Sequence, residues 1–399
     1  MLPILIATSM LANSAPTFAE NPPFNTRSQG VKNIAVFGDS PYGTSPTDTS
    51  QLAAMPAFID SINADADVSL ALHVGDIHSG SQYCTEAYNR AVYDLWMDFR
   101  VPLVYTPGDN EWADCHKSKE GGGAYSPGTG QIVYRLDSSG NLINYMGGDP
   151  IANLDLVRSI FFARPGYAIG NHKPVLSQAQ AFDPDYPSDG KYVENVMWEE
   201  SKVLFVTLNI PGGSNNDSDI WYGAPTMSAA QSQEIAERTG AGLRWLDAAF
   251  TRANKKDDGA NAVLIQVQAD MWDLDGKPAT HIANYKAFID RIAALTTAFG
   301  KPVLLFNGDS HVYRSDNPLV RGAPCVIESA AGVPEVECGD DAYANQPYNY
   351  NVPNFHRVVV HGSTFPMEWL KLTIDPRANA TNGATAFGPF SWQRMRQQL

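Results

Sequence analysis

Four Gly-Asp dipeptides stand at or just past the ends of apolar runs: "FGD" at Asp39, "VGD" at Asp76, "PGD" at Asp109 and "NGD" at Asp309. Carboxylates hold cations or move protons, and four brought together repel one another unless a cation neutralises them. A single Gly-Asp is ordinarily a turn, and the pairs at Asp149 and Asp340 are read that way. Repetition after apolar runs points instead to a metal cluster. The first of the four, in "VFGDSPYG", also raises a competing chemistry, with Ser40 as an esterase nucleophile and Asp39 only its neighbour.

Such carboxylates need elements that deliver them to one place. Short β-rich apolar runs recur along the chain: "NIAVF", "VSLALHV", "VPLVYT", "KVLFVTLNI", "NAVLIQVQ", "KPVLLFN", "FHRVVVHG" and "EWLKLTI". Between them, 51–62, 86–99, 229–253 and 285–299 repeat apolar residues at intervals of three and four, the helical period. The alternation predicts a buried α/β sheet. In such sheets the carboxyl ends of the strands form the ligand edge, and glycine lets the chain turn sharply there. The stretch from about 116 to 200 is rich in Gly, Pro, Ser and Asn and is expected to be a long loop-rich surface insertion.

With 399 residues and 44% apolar content, the chain can bury one large core or two modest ones. The opening "MLPILIATSMLANSAPTFAE" has a short apolar run followed by small residues, so residues 1–19 read as a signal peptide. Export to the periplasm or medium is the expectation. Later apolar stretches are too short for a bilayer, so no membrane insertion is expected. The 43 acidic against 28 basic side chains give a net charge of −15, which repels polyphosphate backbones and argues against nucleic acid. Four cysteines without a Cys-x-x-Cys pair suggest disulfides in an exported protein.

The motifs, in order and spacing, resemble those of the calcineurin-like metallophosphoesterases: Asp-x-His, Gly-Asp, Gly-Asn-His-Asp/Glu, a lone His after a strand, and Gly-His-x-His. The resemblance implies that family's α/β sandwich of two mixed sheets flanked by helices, as a single domain over 20–399. Asp39 matches the first aspartate and Asp76 the aspartate that bridges two metals. In "PGDNEW", Asp109 takes the place of the ligand asparagine, Asn110 that of the catalytic histidine, and Glu111 the acidic end. In "NGDSHVY", His311 matches the last histidine, and Asp309 replaces the histidine serving the second metal. Pro41 stands in place of the Asp-x-His histidine, and Gln268, or with less support Gln266, in place of the lone histidine.

The resemblance therefore implies two divalent ions. The oxygen-rich set suits Mn²⁺ or Mg²⁺ first, with Ca²⁺, Zn²⁺ and Fe as alternatives. A tight site is expected on Asp39, Asp76 and His311, and a weaker one on Asp76, Asp109 and Asp309 with Gln268 beside them. The implied reaction is hydrolysis of a small phosphate mono- or diester by a metal-bound hydroxide attacking in line. Asn110 cannot give a proton as histidine does, so His78, two residues past Asp76, is a candidate ligand or acid, weighed equally against a loop histidine. Arg314 is a candidate phosphate contact alongside Asn110, whereas Lys117 is read as surface charge and His73 as a core histidine. If two strand exits feed one metal, their loops emerge together, so Cys84 is expected to pair with Cys115 and Cys325 with Cys338. Two other readings stay open. The Gly-Asp-Ser esterases share "FGDS" but need a late Asp-x-x-His that this chain lacks; a catalytically inactive binding protein on the same fold is the third.

Overall fold

The computed structural model describes residues 30–170, 173–216, 219–273, 279–328, 335–338, 349–363 and 367–396; the expected signal segment lies outside them. Side-chain alternation organises the fold. In the strand Lys32–Phe37, Ile34 and Val36 face one way and Ala35 and Phe37 the other, and all four are buried. A strand buried on both faces belongs in the middle of a layered protein.

Two mixed sheets meet face to face. The six-stranded sheet runs Ala386–Phe387, Phe390–Arg396, Glu368–Ile374, Lys32–Phe37, Val68–His73, Leu103–Tyr105, the last three parallel. The nine-stranded sheet runs Glu335–Glu337, Val326–Glu328, Arg314–Asp316, Phe355–Val359, Val303–Asn307, Ala262–Gln266, Val203–Thr207, Val196–Glu200, Leu176–Ser177, parallel from Phe355–Val359 to Val203–Thr207. Ile34, Val36, Leu70 and Leu72 of one pack with Phe205, Leu264, Leu304 and Phe306 of the other. The opposite face of the larger sheet carries helices Ala229–Ala253 and Lys286–Phe299 through Trp245, Phe250, Phe288 and Ile292. Helices Ser50–Asn63 and Glu86–Trp96 cover the smaller sheet through Phe58, Ile59 and Trp96. This is the α/β sandwich expected from the sequence.

The 116–200 stretch is more ordered than its composition suggests. It holds the hairpin Gly123–Ser126 with Gln131–Tyr134, the strand Val196–Glu200 and the helix Pro150–Phe161. That helix starts with Pro150 at its first turn, and the Asp149 side chain accepts the Ala152 N–H at 2.8 Å. Asp149 is thus a helix cap rather than only a turn. Leu156, Val157, Ile160 and Phe161 join the core on the smaller sheet.

Candidate metal centre

Each of the four motif Gly-Asp pairs follows a parallel strand at its carboxyl end. Asp39 follows Lys32–Phe37, Asp76 follows Val68–His73, Asp109 follows Leu103–Tyr105 and Asp309 follows Val303–Asn307. The exits are stitched together. The Asp39 N–H donates to the Gly75 carbonyl at 2.8 Å, and the Asp309 N–H crosses between sheets to Asp39 Oδ1 at 2.9 Å. Asp39, Asp76, Asp309 and His311 all have left-handed backbone, with φ of 49°, 60°, 72° and 57°. Non-glycine residues hold that conformation at a cost of order 1–3 kcal/mol each, and such strain gathers at functional sites.

The glycines of these motifs make room for one another's carboxylates. A Cβ on Gly108 would lie 1.9 Å from Asp76 Oδ1, and one on Gly308 would lie 2.2 Å from Asp39 Oδ2. Close approach of backbone to carboxylate, beyond the turn itself, requires glycine at both positions.

Asp39, Asp76 and His311 each bring one ligand atom within 4.8 Å of the others. His311 Nε2 is 3.4 Å from Asp39 Oδ1, and its side chain, 36% exposed, is the most open of the three. Asp39 Oδ2 is buried without a hydrogen-bond partner, which is costly for an acceptor unless a cation takes it. The set fits a divalent ion. Burial, and then the charges of Asp109, Glu111, Asp39 and Asp309, holds the Asp76 carboxyl well above the usual carboxylate range. Asp309 is raised likewise by burial and then by Asp109, Asp270 and Asp39. Buried carboxylates that resist ionising together are the surroundings a cation relieves.

Gln268 lies among the carboxylates, but with its amine side towards them: Nε2 donates to Asp76 Oδ2 at 3.1 Å and to Asp109 Oδ1 at 3.0 Å. As placed it donates rather than ligates. Asn110 also turns to Asp76, through its backbone N–H at 3.2 Å and through Nδ2 at 3.1 Å. Tyr42 completes this cluster, its hydroxyl donating to Asp76 Oδ2 at 2.8 Å and accepting from Asn110 Nδ2 at 3.0 Å. Its ring also meets His311 edge-on at 5.1 Å. Sequence reasoning missed Tyr42, although it stands only three residues past Asp39.

His78 is buried against the Cys84 and Cys115 sulfurs, its Nδ1 engaged by the Ser79 carbonyl, and burial pushes it down to about 4. A neutral imidazole so placed has no proton to give near neutrality. Lys117 is not free surface charge: it sits between Asp114 and Asp219, 2.6 Å from each. Arg314 opens the strand Arg314–Asp316, three residues past His311, and its Nη1 is buried without a hydrogen-bond partner. Behind the centre, buried Arg357 pairs with Asp270 and Asp316, while Asp270 takes the Ser310 hydroxyl at 2.9 Å and its N–H holds Asp309 Oδ2 at 3.1 Å. The cysteines pair as Cys84–Cys115 and Cys325–Cys338. No helix among the described residues is long and apolar enough to cross a membrane.

No family model matches the sequence. No curated protein is detectably similar to it. Among solved structures the chain is similar to a purple acid phosphatase isolated from yellow lupin (Lupinus luteus) seeds, with a TM-score of 0.36 at 12% identity over 94% of this chain. The alignment spans 52% of the lupin chain, about half its length.

Proposed function

We propose that this protein is a metal-dependent hydrolase of small phosphate mono- or diesters. The observation that carries this reading is the convergence of buried Asp39 and Asp76 with half-exposed His311, Asp39 Oδ2 being left unpartnered. A divalent cation held there, Mn²⁺ or Mg²⁺ by the donor set, would neutralise charge on the phosphoryl oxygens and lower the pKa of a bound water. The chain's own groups do the positioning. Tyr42 and Asn110 fix the Asp76 carboxylate, His311 lies on the open side where substrate arrives, and Arg314 is assigned to a phosphoryl oxygen. With Asn110 unable to give a proton and His78 held neutral, esters with acidic leaving groups are favoured.

The esterase reading is disfavoured by the imidazole that contacts the Ser40 backbone. His73 Nε2 donates to the Ser40 backbone carbonyl at 2.9 Å and Nδ1 accepts the Gly75 N–H at 3.1 Å, so neither nitrogen is available to deprotonate the Ser40 hydroxyl. The two disulfides support an exported protein.

The test is turnover of a panel of aryl phosphate mono- and diesters with Mn²⁺, with and without chelator, for wild type, Asp39→Ala and Ser40→Ala. Chelator-sensitive turnover, abolished by Asp39→Ala and largely kept by Ser40→Ala, is expected. Chelator-resistant turnover with fluorophosphonate labelling of Ser40 would mean a serine esterase. No turnover with any metal would mean a binding protein.

A further inference from the structure

We infer that the centre is mononuclear, the Gln268 carboxamide holding by hydrogen bonds the two carboxylates that a second cation would otherwise join. The inference rests on the metal-centre reading above and departs from the two-ion arrangement that the resemblance implies. Its core is the state of Asp76, the residue expected to bridge. Three donors converge on Asp76 Oδ2: the Tyr42 hydroxyl at 2.8 Å, Asn110 Nδ2 at 3.1 Å and Gln268 Nε2 at 3.1 Å. A carboxylate oxygen has about two lone-pair sites, so this one has none left to bridge with. Asp39 Oδ2, in contrast, receives no donor at all.

The orientation of the amide is fixed by its other end. The Gly212 N–H can only donate, and it meets Gln268 Oε1 at 2.5 Å. Turning the amide over would set N–H against N–H at Gly212 and oxygen against two carboxylates. Both N–H groups of Nε2 are then spent, one on Asp76 and one on Asp109 Oδ1 at 3.0 Å. An amide NH₂ between two carboxylates does electrostatically, and more weakly, what a cation does between them. Asp109 Oδ2 and Asp309 Oδ1 do face a common point, since a Cβ on Gly212 would lie 2.8 Å and 2.6 Å from them. Two carboxylates without a bridging third ligand make a poor site. Among the described residues, neither joins a group of three whose ligand atoms come within 4.8 Å.

The test counts ions rather than turnover. Purified full-length protein is loaded with Mn²⁺, desalted and measured by native mass spectrometry and electron paramagnetic resonance. Wild type is expected to hold one Mn²⁺ per chain with an uncoupled spectrum. Gln268→Glu, the same shape without the donor and with an added carboxylate, is expected to rise to two ions with an exchange-coupled spectrum; Gln268→His is the second variant should the first not fold. Two ions in wild type would overturn the inference while leaving the hydrolase reading standing. One ion in both wild type and variants would overturn the role given to Gln268. No ion in wild type would overturn this inference and the metal-centre reading together.

Discussion

Asp39 and Gly308 occupy space that neither could share with a larger neighbour. A methyl group at Gly308 would sit 2.2 Å from Asp39 Oδ2, the oxygen assigned to the cation, so Gly308→Ala must displace that carboxylate. The expected outcome is loss of Mn²⁺ binding by calorimetric titration and a stability cost of about 1–3 kcal/mol. Gly128, with nothing within 4 Å of its virtual Cβ, is the control, and Gly128→Ala should leave binding unchanged. The sequence revealed these aspartates because one dipeptide recurred after apolar runs. It did not reveal Tyr42, nor the buried pairing of Asp270 with Arg357, because those roles arise from contacts across 34 and 87 residues. No local spacing carries such information. The orientation of Gln268 was equally illegible: the sequence offered an amide, and only the Gly212 N–H decides which end meets the carboxylates.

Among the elements, the helices Ser50–Asn63, Glu86–Trp96, Ala229–Ala253 and Lys286–Phe299 were legible from their long apolar periods, and the parallel strands from the unbroken apolar runs that contain them. The helix Pro150–Phe161 was not, because a Gly- and Pro-rich setting masked a run of 12 residues, although Asp149-Pro150 is itself a helix start. Short strands such as Arg314–Asp316 and Val326–Glu328, three residues each, carry too little pattern to read. The Cys84–Cys115 disulfide joins the loops that carry Asp76 and Asp109, across a separation of 31 residues. Replacing both cysteines by serine should cost about 3–4 kcal/mol in denaturant unfolding, as for a loop of this length. Mn²⁺ affinity should fall with it, since the two exits lose their tie; unchanged stability and affinity would show that sheet pairing alone fixes them.

For the molecule as a whole, layered burial sets the response to acid. His356 is enclosed between Ser315 and Asn382 and against Phe387 and Trp392, and burial pushes it down to about 3. The folded pKa is below the unfolded one, so the contribution is present above about pH 6.5 and is lost as pH falls towards 3. Between pH 6.5 and 5, wild type should lose about 1–2 kcal/mol more than His356→Asn in denaturant unfolding. Equal losses would mean that the ring is hydrated in the folded state. The two-sheet sandwich brings the exits of Lys32–Phe37 and Val68–His73 from one sheet against that of Val303–Asn307 from the other. The centre is therefore a property of the assembled sandwich and of neither sheet alone. Its most direct test is diffraction from crystals grown with Mn²⁺, recorded where manganese scatters anomalously. One strong anomalous peak at about 2.0–2.3 Å from Asp39 Oδ2, an Asp76 oxygen and His311 Nε2 is expected. Absence of a peak there, or a peak held by Asp109 and Asp309 instead, would contradict the assignment of the centre.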